Sequence, residues 1–302
     1  MTPIRSSPSR DTLLAMNKLI VGICSALLLL CAACGRDAQQ TGVTAISIRN
    51  DVTIYDVYFH SSAISGILSY RLILPTPKEA ERFPVLYFLH GANSDPAEVM
   101  ERSEVVKFAV GERIAVVMPN GEFSYYTNAK HKQYARWEDA ITQDLAEDVK
   151  ARFPLLSGKE HTGIAGVSMG GYGAAKLSLK HPELYGFTGV MSGALDITQR
   201  RASVRRLGQT WRIWTIFGFR PGTRRDEDVF YLLSQSSGAR QAGWFVSCGQ
   251  QDPLHGTNER FARQMRQHGV PLNLLTTGGG HDWTSWNEAM PRMFRSARQA
   301  LQ

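Results

Sequence analysis

The spacing of apolar positions changes character near residue 80. Before it, Val43–Ile48, Val52–Phe59 and Ile67–Leu74 are β-branched runs with partial alternation of apolar and polar positions. They predict strands that pair antiparallel at the edge of a sheet. Pro75-Thr76-Pro77 ends the third run. After it, Pro84–Leu89 (PVLYFL) and Ile114–Met118 (IAVVM) are short continuous apolar runs. Such runs read as strands buried on both faces. Thr162–Gly166, Phe187–Met191, Trp244–Cys248 and Leu272–Thr276 are predicted as further strands.

Helical patterns alternate with these strands. Asp95 as N-cap and Pro96 at N1 predict a helix through about Val110. Ile141, Leu145 and Val149 form one apolar stripe over Ala140–Phe153. Gly171–Lys180, Asn258–Gln267 and Trp283–Ala297 complete the set, with Pro291 expected to kink or break the last. The alternation implies parallel βαβ units. The expected fold is α/β: a doubly wound, mostly parallel sheet with antiparallel N-terminal edge strands. Residues 197–240 interrupt the pattern. They carry Arg200, Arg201, Arg205, Arg206, Arg212, Arg220, Arg224 and Arg225 among Trp211, Trp214, Phe217 and Phe219. An insertion of this length with aromatic residues is expected to fold. It is read as a small cap forming one wall of a cleft, or as a surface excursion with a satellite core.

The N-terminus changes the picture of where the chain works. Leu19–Ala33 is a 15-residue apolar run behind Lys18. That is short of the roughly 20 residues needed to cross a bilayer, and fits an export signal. Ala32-Ala33-Cys34-Gly35 resembles a bacterial lipoprotein signal, with Cys31 where Leu is usual. The resemblance implies lipidation of Cys34 and a membrane-anchored protein of the bacterial cell envelope. Met16-Asn17-Lys18 reads as a natural start, so residues 1–15 are taken as an extension. The expected plan is a signal segment at 1–34, a linker at 35–42 and one domain at 43–302. Cys24 and Cys31 would leave with the signal and Cys34 would carry lipid, so only Cys248 would stay in the folded body. No zinc-type Cys/His spacing remains, so no metal or cofactor is expected. The formal charge of +7 comes without a basic, aromatic stripe, which argues against nucleic acid as a partner. The oligomeric state is left open.

One segment carries chemistry. Gly166-Val167-Ser168-Met169-Gly170 is a G-x-S-x-G motif between a predicted strand and a predicted helix. That context is what a nucleophile elbow requires. A serine needs a base, and the chain order expected of an elbow is serine, acid, histidine. His281 follows Gly278-Gly279-Gly280 directly after the last strand, so it reaches the carboxyl edge of the sheet. His181 at a helix end reads as solvated, His268 as a helix C-terminal residue and His255 as a loop residue. Asp252 leaves the carboxyl end of the preceding strand and is the expected acid. Asp226 and Asp228 lie in a charged run, and Asp282 adjoins the base. The oxyanion donors are expected from the backbone of Met169 and of the loop Leu89-His90-Gly91-Ala92-Asn93: Ala92 first, Gly91 second.

Several segments together resemble the esterase D-like family of α/β-hydrolases. These are YFLHGANSD (87–95), RWEDAITQDL (136–145), GVSMGGYGAAKLSLKHPELYG (166–186), MSGALD (191–196), CGQQDPL (248–254) and GGGHDWTSWNEAMP (278–291). That family includes tributyrin esterases, S-formylglutathione hydrolases and mycolyltransferases. The resemblance implies an α/β-hydrolase fold and a Ser168–Asp252–His281 triad. It also implies an oxyanion hole at Met169 and the 90–92 loop. Trp283, Tyr125 and Tyr126, with His90, are expected to line the substrate site. The expected activity is hydrolysis of a small-molecule ester, of short acyl or acylated-carbohydrate type. An acyltransferase, a thioesterase and a non-enzymatic surface-binding lipoprotein are the alternatives. Gln250-Gln251 stands where the family commonly has an acidic position.

Overall fold

Strand order in the sheet is set by how each strand is connected. The computed structural model describes residues 41–131, 135–199, 207–218 and 221–301. The signal segment, Cys34 and most of the linker lie outside the described residues, as do Arg200, Arg201, Arg205, Arg206, Phe219 and Arg220. Short turns join β1 (Gly42–Ile48), β2 (Val52–Ser61) and β3 (Gly66–Pro75) into an antiparallel meander. β3 pairs antiparallel with β5 (Ala115–Pro119). From there β4 (Val85–Leu89), β6 (Thr162–Val167), β7 (Phe187–Met191), β8 (Gly243–Gly249) and β9 (Asn273–Thr277) run parallel. The order in this nine-stranded sheet is β1-β2-β3-β5-β4-β6-β7-β8-β9. The chain moves from β4 to β5 on one side and then to β6 on the other. The carboxyl ends of β4 and β6 therefore flank a topological switch point, where ligands bind in open α/β sheets.

The continuous apolar runs split by strand periodicity. Val85, Tyr87 and Leu89 face one core layer, while Leu86 and Phe88 face the other. The first layer holds α3 (Leu145–Arg152), α4 (Met169–Lys180), α6 (Val229–Gln235) and α7 (His255–Gln267) through Leu145, Tyr172, Phe230 and Phe261. The second holds α1 (Pro96–Arg102), α2 (Val105–Gly111) and α8 (Trp283–Ala300) through Val99, Val105, Met290 and Phe294. Among the described residues no helix is long and apolar enough to cross a membrane.

Three local expectations are corrected. The single helix expected from Pro96 to Val110 is two. Asp95 caps α1 as expected, but the Ser103 hydroxyl donates to the Val99 carbonyl at 2.6 Å and its backbone turns extended, ending α1. The second helical stretch starts at Trp137 and passes through a π-helical turn, Ala140–Asp144, before α3. Pro291 does not end α8, which is continuous to Ala300.

Over its described residues the insertion is folded. Its helix α5 (Leu207–Phe217) buries Ile213, Ile216 and Phe217, and Phe217 packs edge-on against Tyr125 and Tyr172. Arg224 is buried and donates to the carbonyls of Gly218 and Thr198. These contacts join the first core layer on the α4 side.

Candidate active site

Ser168 sits between β6 and α4 at φ 56°, ψ −113°. A left-handed φ is costly for any residue but glycine, so the surroundings must enforce it. They do so by close approach. A Cβ at Gly170 would lie 2.0 Å from the Leu89 carbonyl oxygen, and one at Gly166 would lie 2.5 Å from the Gly170 carbonyl carbon. No side chain fits at either position. The Ser168 N–H donates to Met191 at 2.9 Å, and its carbonyl accepts from Ala194 at 3.0 Å. The serine is thus clamped between the ends of β4 and β7.

The loops after β8 and β9 bring the other two groups to the same edge. His281 Nε2 lies 2.9 Å from Ser168 Oγ, and His281 Nδ1 lies 2.8 Å from Asp252 Oδ2. Ionised Asp252 can only accept, so Nδ1 carries hydrogen and, in the neutral ring, Nε2 is the acceptor for the serine hydroxyl. Burial alone would raise the Asp252 pKa. Hydrogen bonds from His281 and from the Leu254 N–H at 2.7 Å, with the nearby Ser192 hydroxyl, outweigh it and hold the carboxyl below its ordinary value. Asp252 is buried, whereas the imidazole is about one-third exposed. The acid therefore stays charged while the base meets incoming molecules.

The competing residues have other work. Asp282 caps α8 by accepting the Ser285 N–H, and Asp228 caps α6 by accepting from Phe230 and Tyr231. Asp226 pairs with Lys130 at the surface. His255 opens α7 near Glu259, and His268 is the C-terminal cap of that helix. His181, expected to be solvated, instead pairs with Glu138 at 2.9 Å.

The 90–92 loop crosses directly above the serine: a Cβ at Gly91 would lie 3.5 Å from Ser168 Cβ. Its conformation is fixed by His90. The Gly121 N–H donates to His90 Nε2 at 2.9 Å, so Nδ1 carries hydrogen and donates to the Gly91 carbonyl at 2.7 Å. Burial pushes the His90 pKa down, against the pull of that bond, and keeps the ring neutral. In a trans peptide the Ala92 N–H points away from the Gly91 carbonyl. Fixing that carbonyl therefore fixes the Ala92 donor. Met169 opens α4, so its N–H has no acceptor within the helix.

A cavity of about 280 Å³ opens at Ser168 and His281. Ala92, Asn93, Ser94, Glu98, Arg102, Trp283 and Trp286 line it. Trp283 is where the resemblance implied. Tyr125, Tyr126 and His90 are not: all three are buried and none lines the cavity. The Tyr126 ring fills the space left by Gly121 and Gly173, and its hydroxyl donates to the His90 carbonyl at 3.0 Å. Tyr125 packs against Phe123, Tyr172 and Phe217. His90 and Tyr126 thus hold the 90–92 loop from beneath, while Tyr125 belongs to the first core layer. No described residue of the 197–240 insertion lines this cavity, and its described residues pack as a satellite of the first core layer; residues 200–206 and 219–220 lie outside the described residues. Asn93, Ser94, Glu98, Arg102 and Trp286 went unmarked in the sequence. Their signal was position: Asn93, Ser94, Glu98 and Arg102 follow β4 through to the end of α1, and Trp286 lies in the first turn of α8 after β9. Among the described residues there is no group of three or more His, Cys, Asp or Glu able to hold a metal ion.

Fold and geometry together are those of an α/β-hydrolase. The family model described as "Putative esterase" matches residues 61–297, and the chain belongs to that family; it is a carboxylic ester hydrolase. An acetyl esterase of Caldicellulosiruptor saccharolyticus is 25% identical over 262 residues, covering 80% of this chain and 97% of the relative. Among solved structures, the fluorophosphonate-binding serine hydrolase FphF of Staphylococcus aureus matches with a TM-score of 0.72. It has 24% identity and covers 82% of this chain and 99% of its own. An S-formylglutathione hydrolase of Agrobacterium tumefaciens matches with a TM-score of 0.73. It has 18% identity, over 87% of this chain and 100% of that one.

Proposed function

We propose that the protein is an exported serine carboxylesterase that cleaves short acyl esters, including acylated carbohydrates, through an acyl-serine intermediate. The observation that carries this reading is His281, bridging Ser168 and Asp252 at 2.9 and 2.8 Å at the mouth of the cavity. Ser168 Oγ attacks the ester carbonyl as His281 Nε2 takes its proton. The N–H groups of Met169 and Ala92 receive the developing oxyanion, a role in which one donor is worth about 10²–10³ in turnover. His281 then protonates the leaving alkoxide, the acyl group stays on Ser168, and water enters by the same route. Asp252 holds the imidazole tautomer and balances the imidazolium.

The cavity supports the substrate class. Its volume accommodates a short acyl group and part of the alcohol. Asn93, Ser94, Glu98 and Arg102 offer donors and acceptors beside the Trp283 indole, whose N–H donates to Glu98 at 3.5 Å, as suits a hydroxylated alcohol. The Ser94 hydroxyl is shielded from solvent and has no protein partner. The acetyl esterase similarity points the same way. Export and lipidation at Cys34 rest on the apolar run 19–33 and the residues that follow it.

The test is a series of p-nitrophenyl esters and an acetylated oligosaccharide. Acetate and butyrate esters are expected to turn over faster than octanoate, with acetate released from the oligosaccharide. No acyl release from acetate or butyrate would overturn the reading. Acyl transfer to an added sugar at the expense of hydrolysis would replace the esterase by an acyltransferase.

A further inference from the structure

We propose that Ser192 and Trp286 form a positioning pair that extends the Ser168–His281–Asp252 relay by two members and sets the aim of its acid and base. The inference rests on the serine-esterase reading above.

The first observation is backbone strain. Ser192 directly follows β7 at φ 49°, in the left-handed region. Glycine occupies that region without penalty, and the next residue, Gly193, shows that the loop accepts glycine. A serine held there, fully buried, needs a reason in its side chain. Its backbone is pinned by a 2.7 Å bond from its N–H to the Ser247 carbonyl. Met191, one residue before, receives the Ser168 N–H. Ser192 therefore sits between the strand that carries the nucleophile and the strand that delivers the acid.

The second observation gives the hydroxyl a direction. The Trp286 indole N–H donates to Ser192 Oγ at 3.0 Å. An indole nitrogen only donates, so it occupies a lone pair of the hydroxyl and leaves the O–H free to point elsewhere. Ser192 is tied by its N–H to Ser247, next to Cys248 on the strand that delivers Asp252, so the Asp252 carboxylate and the Cys248 thiol are the neighbouring acceptors, and both feel the hydroxyl in their pKa values. The Cys248 thiol is neutral, its pKa pushed up to about 12 by burial and by the charge of Asp252. The carboxylate is the stronger acceptor. Asp252 already takes the Leu254 N–H on Oδ1 and the His281 Nδ1–H on Oδ2, with the Ser192 hydroxyl proposed as its third donor.

The third observation ties the pair to the base. The Trp286 ring stands edge-on to His281, with centroids 5.3 Å apart and planes at 86°. Trp283 braces Trp286 in turn, at 5.0 Å and 83°. One indole thus limits rotation of the imidazole and, through Ser192, orients the carboxylate beneath it. Trp286 also lines the cavity, so substrate entering at Ser168 meets the same ring.

The test is a double-mutant cycle on the purified full chain. Ser192→Gly removes the hydroxyl while relieving the strain, so its thermal midpoint should stay within about 5 °C of wild type. A charge-assisted hydrogen bond of this kind predicts a loss in kcat of about ten- to a hundredfold, with KM unchanged. Trp286→Phe keeps a ring beside His281 and loses the N–H; it should lower kcat in the same direction by less. The double variant should resemble Ser192→Gly alone, because both changes break one chain of hydrogen bonds. Wild-type kcat in Ser192→Gly, a loss confined to KM, or fully additive losses would overturn the proposal. Activity near the wild-type level in Ser168→Ala would instead strike the esterase reading, so the two failures are separable.

Discussion

Helix α4 has a histidine–carboxylate pair at each end. At its N-terminus His281 meets Asp252 at 2.8 Å; at its C-terminus His181 meets Glu138 at 2.9 Å. Distance alone does not tell them apart. At the first pair the second imidazole nitrogen faces a hydroxyl beside a cavity and two backbone donors. At the second, His181 Nδ1 lies 3.7 Å from Glu183, and Glu138 is shared with Lys176 and Lys180 at 2.9 Å each. Lys176 is fully buried and also donates to the Tyr126 carbonyl and the Thr127 hydroxyl. Glu227 of the insertion closes the cluster against both lysines. One pair is therefore open toward a reactant, and the other is satisfied by cations. A histidine–carboxylate contact becomes chemistry only when its free nitrogen has a proton to take.

The largest expected effect separates the two ends. Ser168→Ala or His281→Ala should lower kcat/KM by at least about 10⁴-fold, while His181→Ala leaves it at the wild-type level per folded molecule. Steady-state hydrolysis of p-nitrophenyl butyrate measures both. Loss in His181→Ala matching that in His281→Ala would erase the distinction. Asp252→Asn comes next. It keeps the shape but reverses the hydrogen-bond role toward His281 Nδ1, and should cost about 10³–10⁴ in kcat with the fold intact by circular dichroism.

The cluster is expected to fail in stability instead. Glu138→Gln removes one of the two carboxylates that face Lys176 and Lys180, Glu227 remaining, and should cost about 1.5–3 kcal/mol in denaturant unfolding, with little change in kcat for the molecules that remain folded. The smallest effect concerns pH. Burial would raise Glu138, but Lys176, His181 and Lys180 outweigh it and hold its carboxyl well below the ordinary value. A depressed carboxylate contributes stability that is complete above its unfolded pKa of about 4.3, and loses it as pH falls through the lower folded value. Asp252 acts in the same sense. Glu138→Gln should therefore flatten the fall in thermal midpoint between about pH 4.5 and the acid limit. An unchanged acid slope would contradict the assigned role of the cluster.

The nucleophile end was legible in the sequence because its geometry is local. Strand periodicity placed Ser168, Asp252 and His281 each just past a strand, and parallel topology brings those ends to one edge. Gly166 and Gly170 announced the tight turn. The break at Ser103 was not legible, because a serine side chain competing for the Val99 carbonyl leaves the apolar spacing of the two helices intact. Tyr125 and Tyr126 were misplaced for a related reason. An aromatic pair near a cleft and an aromatic buttress under it share a composition, and only the voids at Gly121 and Gly173 show which one Tyr126 is. The buried cluster was hidden because Lys176, Lys180, Glu138 and Glu227 are spread over three segments, each of which reads alone as a solvated face.

The central claim is that Ser168 is the residue activated by His281. Reaction with a fluorophosphonate probe, followed by peptide mapping of wild type and of Ser168→Ala, tests it most directly. A single adduct on the peptide bearing Ser168, absent from the variant and strongly slowed by His281→Ala, is the predicted result. An adduct on any other serine, or labelling that persists in Ser168→Ala, would contradict it.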